Sequence, residues 1–145
     1  MFDRFNDQAV SAIMIAQQHA SRLQQQYVGT ELLLVGVIAQ EDSLTAAVVK
    51  DMGIHLQAVE NTVAAMLQPS GQRPSGEIPF TPSAKQLMAQ AVEEAQKLGR
   101  RYIGPEHLLL AITSSSQTSA ATVLKKLDVD LVQLRIALIR SLSEQ

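Results

Sequence analysis

The chain has 145 residues, 46% hydrophobic and 3% aromatic, with no Cys, no Trp and a formal net charge of -2. A chain of that length buries about two thirds of its unfolded surface, enough for one compact core, and the prevalence of helix formers predicts an all-α fold. The charge gives no electrostatic reason to expect nucleic acid or an anionic membrane as partner, and the missing Cys excludes disulfides and thiolate metal sites.

The opening stretch, MFDRFNDQAV, lacks the basic-then-apolar pattern of a signal peptide, and no apolar run approaches the roughly 18 residues that would span a bilayer. A cytoplasmic protein is expected. Asn6 is placed as the N-cap of a first helix whose core stripe is Ala9, Ile13, Ala16, Ala20 and Leu23, at the alternating spacing a helix face requires. A second helix begins near Thr30, is apolar on nearly every side and is therefore expected as the buried central rod. A third spans about 44–52, with Gly53 as its C-cap, and a fourth follows His55 with Leu56, Val59, Val63 and Leu67. QPSGQRPSGEIP, residues 68–79, reads as a solvated linker.

After the linker the same series begins again. Thr81 caps a helix with Pro82 in its first turn and the stripe Ala84, Met88, Ala91, Ala95, Leu98. A second apolar rod starts near Pro105, a third helix spans about 119–127 with Asp128 where repeat one has Gly53, and Asp130 caps a fourth that carries Leu131, Leu134, Leu138 and Leu142. Sliding the chain on itself by 75 residues places 5–67 on 80–142 without a gap, with 15 identities in 63 pairs, a register long enough to mark internal duplication. The expected architecture is therefore one domain, 1–145, all-α, with eight helices. It comprises repeat one (1–67), the linker (68–79) and repeat two (80–145), related by a pseudo-twofold axis.

YVGTELLLVGVI (27–38) and YIGPEHLLLAIT (102–113) keep a carboxylate, Glu31 or Glu106, at the head of the apolar rod. Charge–dipole placement at a helix N-terminus accounts for it at a few tenths to one kcal/mol. Bidentate acceptance from a guanidinium group accounts for it equally well, and spacing does not separate the two. The first helix also carries an apolar line, Val10 and Met14 with Gln17 one turn on, offset from the core stripe. Phe2 and Phe80 precede the two first helices and flank that line, while Phe5 suits a hydrophobic staple. In the last helix Val132, Ile136 and Ile139 form an extra stripe where repeat one has Gln57, Asn61 and Ala64, expected to pack on the opposite repeat.

Catalytic signatures are missing. There is no G-x-x-x-x-G-K-[ST] loop, His19, His55 and His107 lack metal-ligand spacing, and SSSQTS (114–119) has no base at a recognisable distance. The reading is a non-enzyme without cofactor or metal.

F-x-R-F-N-x-x-A, then Y-(V/I)-G-x-E-x-L-L repeated at 75 residues with I-P-F-T-P between, resembles the Clp N-terminal repeat domain of the ClpC/ClpA class of unfoldases, over essentially the whole chain. The resemblance implies an eight-helix module that docks substrates, adaptor proteins and other Clp components. It implies phosphoarginine binding at Glu31 and Glu106, although here the motifs read GTEL and GPEH and the family's glycine-rich turn is replaced by QEDSLTAA and SSQTSAA. It further implies a groove for cyclic peptides at Phe2, Val10, Ile13, Met14, Gln17, Pro79, Phe80, Lys85 and Ala89. Val10 and Ala89 stand where charged residues are common, which makes that groove more apolar, and Met14 lets it adapt to varied shapes.

The leading expectation is a stand-alone binding module that regulates a Clp machine or sequesters cyclic peptides. The excised amino-terminal domain of a full unfoldase is one alternative, and an accessory subunit of the proteolytic core that binds no small ligand is another. A DNA-binding helix-turn-helix is disfavoured, since no helix carries a basic face.

Overall fold

The computed structural model describes residues 2–144. They form eight helices: α1 (Asp7–Arg22), α2 (Thr30–Ile38), α3 (Ala46–Asp51), α4 (Leu56–Met66), α5 (Pro82–Lys97), α6 (Pro105–Thr113), α7 (Ser119–Lys126) and α8 (Leu131–Ser143). The ends are set locally. Asn6 accepts the Ala9 N–H at 2.9 Å, Thr81 accepts that of Ala84 at 3.0 Å, and Asp130 accepts from Val132 and Gln133. Gly53 takes a left-handed φ of +74° after α3, and Asp128 takes +62° at the matching turn, a conformation Asp tolerates better than most residues.

Apolar periodicity decides what each helix buries. All nine residues of α2 are buried, as are Pro105 to Ile112 of α6, so these two rods form the centre. The other helices bury single stripes. Ala9, Ala12, Ala16 and Ala20 of α1 are fully covered, and their small side chains let α1 approach α2 closely. A single continuous core results, from Phe5 to Leu142.

The repeats are laced through their entry segments. The Ile103 N–H donates to the Arg4 carbonyl at 2.8 Å and the Ile103 carbonyl accepts from Asn6 at 2.9 Å. At the equivalent place Val28 donates to Pro79 at 2.8 Å and accepts from Thr81 at 3.0 Å. Each repeat thus sends the residues ahead of its first helix to the residue before the other repeat's matching glycine, Gly29 or Gly104. This exchange is why F-x-x-x-A and Y-(V/I)-G recur as a set: one half of each contact lies in each copy.

The linker is exposed, as expected, except at Ile78, which is buried in the core, and it is pinned. Ser70 donates to the Gln24 carbonyl, the Arg73 guanidinium donates to Ser21, and the Gln17 amide bonds both backbone groups of Ile78. The expected packing of Val132, Ile136 and Ile139 on the opposite repeat does not form; they are 65%, 43% and 37% exposed. Leu134, Leu138 and Leu142 face inward instead, and Ala137, Arg140 and Ser141 border a shallow cleft between α8 and α3. A helix packed on one side of a bundle cannot bury two stripes that point apart.

Candidate functional site

The outer face of α1 forms the floor of an open groove of about 410 Å³, lined by Phe2, Val10, Ile13, Met14 and Gln17 together with Gly76 and Glu77 of the linker. Ile13 is buried at its base, whereas Met14 is 57% exposed. Phe2 is held edge-on between Phe5 and Phe80, with ring centroids 5.2 and 6.2 Å apart. Five of the nine positions expected in the groove therefore meet in one place. Phe80 is half-buried and supports the groove through Phe2. Pro79 lines a neighbouring polar cleft with Gln72 and Arg73, and Lys85 and Ala89 stand exposed on α5. The Gln17 amide is occupied by the chain itself, donating to the Ile78 carbonyl at 2.8 Å and accepting its N–H at 2.9 Å. Gly76 and Glu77 carry no signal in sequence that would have placed them here.

Glu31 lies on a second, polar cleft of about 480 Å³, bounded by the α1–α2 turn, the start of α5 and the start of α7. Its carboxylate folds back over Gly29, where an added Cβ would sit 2.8 Å from the carboxyl carbon and nearer still to its oxygens. Glu106 repeats the arrangement over Gly104. The repeated G-x-E thus has a local cause: a glutamate turned back onto its own helix start needs glycine at the cap. Burial pushes both carboxyls above the usual range, opposed by the hydrogen bond from each residue's own backbone N–H and, for Glu106, also by the Arg100 charge. Glu106 lines neither this cleft nor the α1 groove.

A family model for the Clp repeat (R) N-terminal domain matches residues 4–144. The chain belongs to this family. Chaperone protein ClpC2, chloroplastic, of Oryza sativa subsp. japonica is 40% identical over 144 residues, 99% of this chain and 16% of that protein. The ClpA homolog of Guillardia theta is likewise 40% identical over 99% of this chain and 18% of its own length. The chain thus spans under one fifth of either curated relative. The N-terminal domain of the chaperone ClpD from Arabidopsis thaliana superposes with a TM-score of 0.81 at 28% identity, covering 98% of this chain and 99% of that one. None of the helices is long and apolar enough to cross a membrane, and among the described residues no group of three or more His, Asp and Glu could hold a metal ion.

One residue of this Clp repeat domain has a role that sequence reading missed. His107 is 1% exposed; its Nδ1 accepts the Gly104 N–H at 2.9 Å, which leaves the proton on Nε2, a buried atom with no partner. Burial first, then the Arg100 charge, lower its pKa to about 4, against a raising contribution from Glu94. The unfolded chain therefore binds this proton from about pH 6.5 downward while the fold resists it until about pH 4. The neutral-histidine contribution is complete above pH 6.5 and is lost as pH falls toward 4, by about 2–3 kcal/mol. Repeat one has Leu32 at the matching position. His107→Leu should therefore flatten the stability profile over that window, as read by urea unfolding at pH 7 and pH 4.5.

Proposed function

We propose that this Clp repeat domain is a non-enzymatic docking module that takes apolar peptide segments of substrates or adaptors into the α1 groove on behalf of a Clp unfoldase. The observation that carries the reading is the groove itself. Val10 and Met14 are left exposed on a helix whose inner face is fully packed, and Phe2 is fixed edge-on against Phe80 beside them. Methionine on a concave apolar wall suits ligands of varied shape. Cyclic apolar peptides fit this chemistry, and a free-standing form of the domain would act by sequestering them or by regulating the machine it joins. Glu31, on its own cleft, supports a second reading as a seat for phosphoarginine, whose guanidinium moiety a carboxylate can accept.

Calorimetry with a cyclic apolar peptide tests the first reading. One site per chain is expected, with binding weakened about ten-fold or more in Met14→Glu, because a carboxylate placed in an apolar contact must be desolvated. Phe80→Ala should weaken it as well by releasing Phe2. Heat that is absent, or unchanged in both variants, would remove the groove from the account.

A further inference from the structure

Val132, Ile136 and Ile139 run along the outer face of α8, one turn apart, and are 65%, 43% and 37% exposed. The inner face of the same helix packs through Leu134, Leu138 and Leu142, so the fold is already served by the other stripe. The matching helix of repeat one does without an apolar outer face. There α4 carries Gln57, Asn61 and Ala64, and the Gln57 amide donates to the Asn61 side-chain carbonyl at 2.9 Å. Single exposed apolar residues are ordinary on a protein surface, whereas three aligned on one helix make a continuous ridge that a partner can cover.

Charges stand at both ends of that ridge. Lys126, Asp128 and Asp130 are exposed where α8 begins, and Arg140 and Glu144 where it ends. None is paired within the chain: among the described residues the one ion pair joins Arg135 to Glu94. Asp130 uses only Oδ1 to cap the helix. Along α8, Val132 lies four residues before Ile136 and Ile139 three residues after it. A second α8 laid antiparallel across Ile136 therefore sets Val132 against the partner's Ile139, with Ile136 meeting its own copy. The same register brings the end that holds Arg140 and Glu144 to the start of the other helix, where the partner's Asp130 and the partner's Lys126 offer the opposite signs. A parallel pair would set each charge beside its like. Opposed helix dipoles favour the antiparallel arrangement as well.

We infer that the outer face of α8 is a self-association surface, on which two copies of this domain pair antiparallel about a twofold axis at Ile136. The inference goes beyond the docking reading and does not depend on it. An unrelated partner would not call for a pattern that matches itself when reversed; a twofold contact between copies does. The 13 residues of α8 span about 20 Å. One helix of that length buries less than the roughly 800 Å² per partner of a stable interface, so the pair is transient, with a Kd on the order of 0.1–1 mM. The α1 groove takes none of its lining from α8, so pairing and peptide docking do not compete for the same residues.

The test is sedimentation equilibrium of the 145-residue chain from about 10 μM to about 1 mM, with backbone amide shifts followed over the same dilution. The expected result is a monomer–dimer equilibrium, with concentration-dependent shifts at Val132, Ile136, Ile139 and Arg140. Ile136→Glu sets two carboxylates at the axis and should weaken pairing about ten-fold or more, in an exposed position where Glu suits a helix. Arg140→Glu should weaken it about three- to ten-fold, and so should high salt. The chain has no Cys, so Ser143→Cys takes a single spin label. Mixed with unlabelled, isotope-enriched chain, that label should broaden the amides of Asp130 and Val132 more than those of Ile139 and Arg140. Dilution shifts of the parent read the contact even where a variant fails to fold. A chain that stays monomeric at about 1 mM, shifts that lie away from α8, pairing indifferent to Ile136→Glu, or broadening strongest at Ile139 and Arg140 would each overturn the inference.

Discussion

Arg135→Met should lower the free energy of unfolding by about 3 kcal/mol at pH 7, the lower end of what stranding a buried charge costs. The Glu94 carboxylate is 3% exposed and takes two bonds from this guanidinium, which also donates to the Leu110 carbonyl and the Thr113 hydroxyl. One side chain thereby ties α8 to both α5 and α6. The arginine itself keeps 31% of its side-chain surface in contact with water, so its own desolvation is incomplete, and the cost falls mainly on the glutamate left behind. Burial by itself would raise the Glu94 pKa. The bonds and charge of Arg135, with help from Gln90 and Lys97, overcome that and hold it below the usual value of 4.5. The folded pKa lies below the unfolded one, so this stabilisation is complete above about pH 4.5 and is lost as pH falls through the folded value. Urea unfolding of Arg135→Met at pH 7, beside Glu94→Leu/Arg135→Met, checks the argument. The double variant should recover most of the loss, because apolar replacement of both partners removes the stranded charge. Equal stability of the single variant and the parent would refute it.

Gly36→Ala should cost at least about 3 kcal/mol, above the usual range for one added methyl group, because the obstacle is backbone. A Cβ at Gly36 would stand 2.7 Å from the Ala12 carbonyl carbon, 3.0 Å from its Cα and nearer still to the carbonyl oxygen, deep within van der Waals contact. Side chains turn away from such a clash; a helical carbonyl does not. Relief requires α1 to lift off α2, which opens the contact that Ala9, Ala12 and Ala16 make by being small. Repeat two accepts Ala111 at the matching position. The α1–α2 contact at Gly36 therefore has no room for the methyl group that repeat two carries there, and Ala111→Gly should be tolerated at the ordinary helix-propensity cost of about 1 kcal/mol. Thermal unfolding of both variants separates these outcomes, and a Gly36→Ala protein as stable as Ala111→Gly would show the approach to be looser than described. The α1 groove would suffer too, since its floor is the outer face of α1.

Much of this molecule is local, and local features were legible. The 75-residue register, the caps Asn6, Thr81 and Asp130, the stripe periodicities and the apolar rods led to eight helices within one or two residues of where they lie. Each depends on a side chain meeting its own backbone or its own helix face, interactions that reach at most four residues. The line of Val10, Met14 and Gln17 on the outer face of α1 was legible for the same reason, because the three share one helix; the groove itself was only what the resemblance implied.

Tertiary structure decided what depends on which neighbour arrives. Periodicity gave α8 a leucine stripe and an extra apolar stripe, both expected to pack, and only the position of the central rods determined that Leu134, Leu138 and Leu142 turn inward while Val132 stays in water. The linker has no periodicity, so its path along α1, the capture of Gln17 by Ile78 and the entry of Gly76 and Glu77 into the groove had no trace in the residues. Glu94 and Arg135 match His19 and Glu60 of repeat one, which differ in identity, with a carboxylate standing where Arg135 does, so comparing the copies hid the pair instead of marking it. Glu31 and Glu106 are identical in sequence and alike over their glycines. They become different only because one repeat places the Arg100 charge nearby and the other places Gln25 beside an open polar cleft, a contrast of surroundings that no single position carries.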